Sequence, residues 1–148
     1  MKILFTDFDG VFHPVSTITF DFPNATVEDA LANPAFFRYA PILVDLLDGT
    51  DTNLVVHSSW RFNAHDSDLR RLPGPLAVRF AGSTPQGARY QSIRDAVKFM
   101  ELQPNDYRIL DDAPWEFPGN VHSLIVCQPN HGLDDPAVRA KITEWLHG

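Results

Sequence analysis

Two pairs of aspartates follow apolar runs in this sequence. Asp7 and Asp9 stand after such a run near the N-terminus, and Asp111 and Asp112 stand after another near the C-terminus. Carboxylates gathered at one place raise one another's pKa values unless a cation neutralises them. All four residues offer oxygen ligands, and no His-x-x-x-His or Cys-x-x-Cys pair indicates zinc. The pattern therefore favours Mg²⁺ as the neutralising ion.

Carboxylates beside a magnesium ion can carry out phosphoryl transfer. One of them can attack phosphorus, because the cation shields it from the phosphoryl oxygens. A second, two residues later, can protonate the leaving oxygen and then deprotonate the hydrolytic water. Asp7 and Asp9 have this spacing. Ser58 and Ser59 end a third apolar run, where a hydroxyl can either hydrogen-bond a phosphoryl group or cap the next helix.

The elements that position these residues alternate between strand and helix patterns, which is typical of a parallel α/β sheet. Because ligands bind beyond the carboxyl ends of parallel strands, the aspartates and serines are expected to meet at one edge of the sheet. Threonine and apolar residues alternate over residues 15–22, which predicts a hairpin. The expected strands cover residues 2–7, 53–58, 76–80, 107–111 and 121–127, and the expected helices cover 39–47, 64–72, 89–102 and 136–146.

The segment Asp7-Phe8-Asp9-Gly10-Val11 resembles the first motif of phosphatases of the haloacid-dehalogenase (HAD) type, Asp-x-Asp-Gly-Thr/Val. The resemblance implies that Asp7 becomes phosphorylated. It also implies that Asp9 is the general acid and base, while its backbone carbonyl binds Mg²⁺. The dehalogenase branch of the family lacks the second aspartate, so Asp9 argues for phosphatase chemistry.

The other three HAD motifs find matches in the right order along the chain. Ser58 is the expected phosphoryl ligand of the second motif, with Ser59 as the alternative. Arg89 matches the basic third motif, for which Lys98 is the alternative. The pair Asp111-Asp112 matches the acidic fourth motif, and which of these two touches the metal stays open.

A narrower similarity links the chain to the HAD domain named for Swiss Army Knife RNA-repair proteins. It rests on Phe12-His13-Pro14, on Ser58-Ser59-Trp60-Arg61, on the helix start at Arg89 and on the residues that follow Asp111. The resemblance implies one HAD-like hydrolase domain over residues 1–148, a three-layer α/β sandwich with a parallel sheet of order 5-4-1-2-3. No large cap domain is expected, and the hairpin at residues 15–22 would be the family's flap.

Further residues next to the motifs are candidates for substrate contacts. His13 is more simply interpreted as an ordinary loop residue, and Trp60 as a packing residue. A bidentate Arg61 fork could bind a substrate phosphate. A site without a cap favours a bulky phosphorylated substrate, such as a nucleotide, a nucleic-acid end or a protein, or a second subunit in a homo-oligomer that closes the site. The candidates are Gly10, His13, Ser59, Trp60 and Arg61.

Composition limits the alternatives. With 148 residues and a net charge of −7, the chain has no overall electrostatic attraction for nucleic acid, although Arg61, Arg70, Arg71 and Arg79 could form a local basic groove. The single cysteine, Cys127, cannot form an intramolecular disulfide and is expected in a buried strand. No apolar run approaches the ~20 residues of a membrane span, so a cytoplasmic location without membrane contact is expected.

The rival interpretation is a binding or signalling module, either a degenerate HAD domain or a receiver that clusters acids around Mg²⁺. A receiver would need its acceptor aspartate at the end of the third strand, near Phe80, where the sequence has no acid. All four HAD motif types are present, which favours an enzyme.

Overall fold

The central feature of the computed structural model, which describes residues 1–148, is one sheet of five parallel strands. The strands are β1 (Ile3–Thr6), β2 (Asn53–Val56), β3 (Phe80–Ser83), β4 (Tyr107–Asp111) and β5 (Leu124–Val126). Their order is β3-β2-β1-β4-β5, which is the expected order 5-4-1-2-3 viewed from the other edge. The HAD-like fold class without a large cap domain is confirmed.

Helices cover both faces of the sheet, because alternate residues of each strand point to opposite sides. Leu4 of β1 packs into a core with residues of the first, second, third and fifth helices, whereas Ile3 and Phe5 pack with Ile93 of the fourth. The three layers follow from this alternation. The helices are α1 (Val27–Ala32), α2 (Ala40–Leu47), α3 (Asp66–Arg71), α4 (Arg89–Phe99) and α5 (Pro136–His147).

The strand register brings three chain segments to one edge of the sheet. Thr6, the last residue of β1, pairs with Val56 of β2 on one side and with Leu110 of β4 on the other. The residues that follow these partners therefore leave the sheet side by side. This places Asp7 between His57 and Asp111.

Two of the local expectations are wrong. Residues 15–22 form no hairpin, since Thr17–Asp21 is a single turn of π-helix and the chain then runs to α1. Residues 76–80 are not a strand either: Gly74–Arg79 is a 3₁₀-helix, and β3 begins only at Phe80. The Pro-Gly-Pro break before Leu76 starts a helical turn, in which Leu76 is buried and Val78 is exposed.

The remaining helices and strands lie within three residues of their predicted ends, apart from α1, which begins at the Thr26 cap and stops before Asn33-Pro34. Cys127 is buried as expected, but it lies one residue beyond β5 rather than within the strand. None of the helices combines the length and the apolar composition needed to cross a membrane.

Candidate active site

Asp7 is a buried carboxylate that directly follows the central strand, β1. Its Oδ1 accepts a hydrogen bond from the backbone N–H of Phe8 at 2.8 Å, and its Oδ2 lies 3.5 Å from Nη1 of Arg89. Burial, reinforced by the negative charge of Asp111, raises the pKa of Asp7 well above its usual range. Oδ1 is thus held by the backbone, which leaves Oδ2 as the oxygen that can act as a nucleophile.

Asp111, at the end of β4, is held by donors from three sides. Its Oδ2 lies 2.7 Å from Nε2 of His57, its Oδ1 accepts from the backbone N–H of Ala113 at 2.8 Å, and Arg89 Nη1 contacts both oxygens at 2.9 and 3.0 Å. Burial lowers the pKa of His57 despite the opposing effect of Asp111. A neutral His57 with its proton on Nε2 satisfies Asp111 and leaves the buried Nδ1 without a partner.

Asp112 completes a group of three carboxylates. Asp7, Asp111 and Asp112 each offer an oxygen within 4.8 Å of the others. Burial, followed by the charge of Asp111, raises the pKa of Asp112. Its side chain presses on Gly10: a Cβ built there would lie 2.2 Å from Asp112 Oδ2, and Gly10 has a φ of +78°. A glycine is required at position 10 for both reasons.

Arg89 is the only guanidinium in direct contact with these carboxylates. It is the first residue of α4, and burial tends to lower its pKa, but the carboxylates of Asp7 and Asp111 outweigh that effect and raise it. Lys98, the alternative for the third motif, is an exposed residue in the last turn of the same helix. The geometry therefore favours Arg89.

Asp9 lies outside the group of three and has its own donors. Trp60 Nε1 donates to Asp9 Oδ1 and Oδ2 at 3.1 and 3.0 Å, and His13 Nε2 lies 2.8 Å from Oδ1. Since His13 Nδ1 accepts from the backbone N–H of Phe37, the single proton of a neutral ring is on Nε2 and is donated to Asp9. Both oxygens of Asp9 are oriented by ring N–H donors.

An aromatic cluster holds these donors in place. The Phe8 ring makes edge contacts with Phe37 at 4.8 Å and with Trp60 at 6.5 Å between ring centroids. Phe36 contacts both His13 and Trp60 in the same manner. Packing on several sides restricts the rotamers of His13 and Trp60, so the position of Asp9 depends on the core beneath it.

Ser58 is buried directly beyond β2, and its Oγ accepts a hydrogen bond from the backbone N–H of Trp60 at 3.2 Å. This is the cap of the 3₁₀-helix Ser59–Phe62, so the capping role is present, and the hydroxyl proton remains available to another acceptor. Ser59 is exposed. Ser58 thus fits the second motif better than its neighbour.

Arg61, a candidate for binding a substrate phosphate through its fork, has its guanidinium engaged by the backbone. Its Nη1 donates to the backbone carbonyls of His57 and Ser58, and its Nη2 donates to that of Gly87 at 3.1 Å. The guanidinium ties the Ser58 segment to the loop before α4. Arg61 therefore stabilises the two segments that position Ser58 and the start of α4.

His57 is not among the site residues predicted from the sequence, which has no pair of histidines at metal-ligand spacing. The structure gives it the shortest side-chain contact to Asp111. Its place at the end of the strand that neighbours β1 was a usable signal, since every residue at that edge is close to the site. No feature of the sequence predicted the contact of Trp60 with Asp9.

The comparison with family models is decisive for the class of protein. Residues 3–138 match the model of the HAD domain in Swiss Army Knife RNA repair proteins. The chain belongs to this family. The match confirms the resemblance to the HAD family and places the domain among hydrolases of the HAD class. No curated protein and no solved structure gives a significant match, so the assignment depends on the family model together with the fold.

Proposed function

We propose that this HAD domain is a Mg²⁺-dependent phosphomonoesterase that forms an aspartyl-phosphate on Asp7. The observation that carries the proposal is the group Asp7, Asp111 and Asp112, with carboxylate oxygens within 4.8 Å of one another and Arg89 beside it. A group of buried carboxylates destabilises the folded protein, and such groups are typical of functional sites.

The residues present fit a magnesium ion. The donors are oxygen atoms only, and three carboxylates face a single guanidinium, so a divalent cation would balance the charge. Asp111 is already engaged by His57, Arg89 and the backbone. The Asp9 carbonyl oxygen accepts no hydrogen bond from within the chain.

We therefore assign the metal contacts to Asp7, Asp112 and the Asp9 carbonyl, with Asp111 as the residue that orients the group. When bound, the cation supplies charge neutralisation that lets an anionic nucleophile approach an anionic phosphate.

The first step transfers the phosphoryl group to the protein. Asp7 Oδ2 forms a bond to phosphorus as the bond from phosphorus to the leaving oxygen breaks. Arg89 and the Ser58 hydroxyl donate hydrogen bonds to the phosphoryl oxygens, and Asp9 gives its proton to the leaving oxygen. The products are an alcohol and an acyl phosphate on Asp7.

The second step restores the carboxylate. Asp9, now ionised, takes a proton from water as the water oxygen attacks phosphorus, and the bond between phosphorus and Asp7 breaks. Inorganic phosphate leaves, and Asp9 is again protonated. His13 and Trp60 orient Asp9 for both transfers, because they contact its two oxygens.

The substrate class that this site favours is a phosphomonoester of a nucleotide or of a nucleic-acid end. The fold has no cap domain over the site, so the site can accept a phosphate that carries an extended group. The name of the family refers to RNA repair, which is in keeping with this class.

The test is phosphate release from nucleotides, sugar phosphates and phosphorylated RNA or DNA ends, with Mg²⁺ and with EDTA. We expect metal-dependent release that Asp7→Asn abolishes, and borohydride reduction should trap the aspartyl-phosphate at position 7. Asp51→Asn is the matched control, because the Asp51 side chain is 77% exposed in a loop. Bound Mg²⁺ without release from any substrate would instead support the binding module.

A further inference from the structure

A cavity of about 470 Å³ has Asp9 in its wall, whereas none of Asp7, Asp111 and Asp112 is among the residues that line it. Asp9 and Trp60 form part of its wall, and the remainder comes from residues 18–27, which lead into α1, and from residues 59–64, in and just after the 3₁₀-helix that follows β2. Its volume is in the range of small-molecule sites, about 300–1,000 Å³. The phosphoryl chemistry described above uses Asp9 but not this space.

The direction of the reaction links the cavity to the substrate, and this step rests on the proposed function. In an in-line displacement the attacking and leaving oxygens are on opposite sides of phosphorus. Asp7 is on one side, and Asp9, as the acid, must reach the leaving oxygen on the other. The group that the leaving oxygen carries therefore extends past Asp9, where the cavity begins.

The lining of the cavity combines apolar side chains with uncharged polar ones, and it contains no cation. Trp60 and Phe22 provide aromatic surface, while Thr26, Ser59 and Asn63 provide uncharged hydrogen-bonding groups. Asp9 is the only charged residue among the eleven that line the space. The apolar side chains are those of Ile18, Phe22, Ala25, Val27, Trp60 and Ala64.

The surrounding charges disfavour an anionic leaving group. Glu28 and Asp29 are exposed residues next to the lining segment, and Arg61 is turned to backbone carbonyls on the inner side of its helix. Arg79 is likewise committed to the carbonyls of Leu47, Thr50 and Thr52. Arg61 and Arg79 are thus not available to a second phosphate, and neither Arg70 nor Arg71 lines the cavity, so its wall offers a second phosphate no cation.

We infer that this cavity binds the leaving group of the substrate, and that this group is neutral with a flat apolar face. Among the substrates considered above, the nucleoside of a mononucleotide fits this description, whereas the polyanionic chain of a nucleic-acid end does not. Stacking on Trp60 and Phe22 would bind the base, and Thr26, Ser59 and Asn63 offer partners to its polar edge.

Four esters separate these possibilities when kcat/KM is measured with Mg²⁺. They are adenosine 5′-monophosphate, 1-naphthyl phosphate, glucose 6-phosphate and a 5′-phosphorylated pentaadenylate. We expect the first two to exceed glucose 6-phosphate by about tenfold or more, because stacking on an aromatic wall is worth ~1–3 kcal/mol. We expect them also to exceed the pentaadenylate, because its further phosphates would lie near Glu28 and Asp29 with no cation in the cavity wall. A phosphorylated oligonucleotide that is hydrolysed as well as the mononucleotide would overturn the inference.

Two phenylalanines provide a matched pair of variants. Phe22→Ala removes a wall of the cavity and should lower kcat/KM for the mononucleotide and the naphthyl ester about tenfold, with little change for glucose 6-phosphate. Phe20→Ala is the control, since Phe20 is 78% exposed and does not line the cavity. Equal effects of the two substitutions would contradict a role of the cavity in binding.

Failure of the proposed function gives a different result from failure of this inference. If none of the four esters is hydrolysed, the phosphatase proposal is wrong. Calorimetric binding of adenosine 5′-monophosphate to the Phe22→Ala and Phe20→Ala proteins then tests the cavity alone. Weaker binding only in Phe22→Ala supports the inference, and absent binding or equal affinities overturn it.

Discussion

Asp7→Asn should stabilise the metal-free protein while it abolishes turnover. In the absence of a cation, Asp7 shares a buried space with Asp111 and Asp112, and Arg89 is the one opposing charge in contact. The amide of asparagine keeps the shape of the side chain and its capacity to accept from the Phe8 N–H, but it carries no charge. The substitution therefore removes repulsion with little change in packing.

The size of the effect follows from the distances. Two unit charges 4.8 Å apart repel by about 3.5 kcal/mol at an effective dielectric constant of ~20. Burial, and after it the charge of Asp111, raises the pKa of Asp7 and of Asp112, so a proton relieves part of this repulsion; the lost attraction of Arg89 offsets another part. We expect a net gain of about 1–2 kcal/mol, which corresponds to a rise in Tm of about 2–8 °C for a domain of this size.

The pH dependence has a definite sign. A carboxyl group whose pKa is raised by folding destabilises the folded state above that raised pKa, where it must be charged. The penalty disappears as the pH falls through the folded pKa towards the ordinary value of about 3.9. The advantage of Asp7→Asn should therefore be largest at neutral to alkaline pH and should shrink on acidification.

Thermal unfolding followed by circular dichroism, with EDTA and with Mg²⁺, measures these effects. Mg²⁺ at a hundredfold excess over its Kd should stabilise the wild-type protein by about 2.7 kcal/mol and the variant by much less. Asp51→Asn is again the control, because its carboxylate is exposed. A variant that melts at or below the wild-type temperature in EDTA, or that keeps the full Mg²⁺ effect, would refute the reasoning.

Three further outcomes follow from single contacts. Gly10→Ala should destabilise the fold by about 1–2 kcal/mol and weaken Mg²⁺ binding in calorimetry, because its Cβ would meet the Asp112 carboxylate and the φ of Gly10 is +78°; unchanged Mg²⁺ affinity would contradict this. Trp60→Phe should lower kcat about tenfold, since it removes the N–H donor to Asp9 and keeps most of the aromatic surface, whereas a loss confined to KM would speak against an orienting role. Burial raises the pKa of the Cys127 thiol, so iodoacetamide should leave Cys127 unmodified in native protein and alkylate it in guanidinium, as judged by mass spectrometry; equal rates in both would show that the thiol is not buried.

Local pattern predicted the elements well where packing and propensity agree. The β4 strand has its predicted bounds, and α5 starts at Pro136 with Asp135 as its cap. The two errors lie where they disagree. Residues 15–22 alternate like a strand but have no neighbouring strand to pair with, so the chain closes local hydrogen bonds in a π-helical turn. Gly74–Arg79 instead forms a 3₁₀-helix, in which the side chain of Leu76 is buried.

The sequence alone determined that acidic residues would end β1 and β4 and that a serine would follow β2, because strand and motif are both properties of short segments. The resemblance to HAD phosphatases supplied the strand order that brings these ends together. The roles expected for Asp7, Asp9, Ser58, Arg89 and the acidic pair stay predictions until activity is measured.

Only the tertiary structure decided which side chains hold the site residues. The contact of His57 with Asp111 spans 54 positions, and that of Trp60 with Asp9 spans 51. Such contacts depend on rotamers and on packing between segments that are remote in sequence, and no local pattern encodes them. The same holds for the cavity beside Asp9, whose walls come from two separate loops. The sequence predicted Asp7 and Asp9 as site residues, but the different surroundings of their two carboxylates arise from the fold.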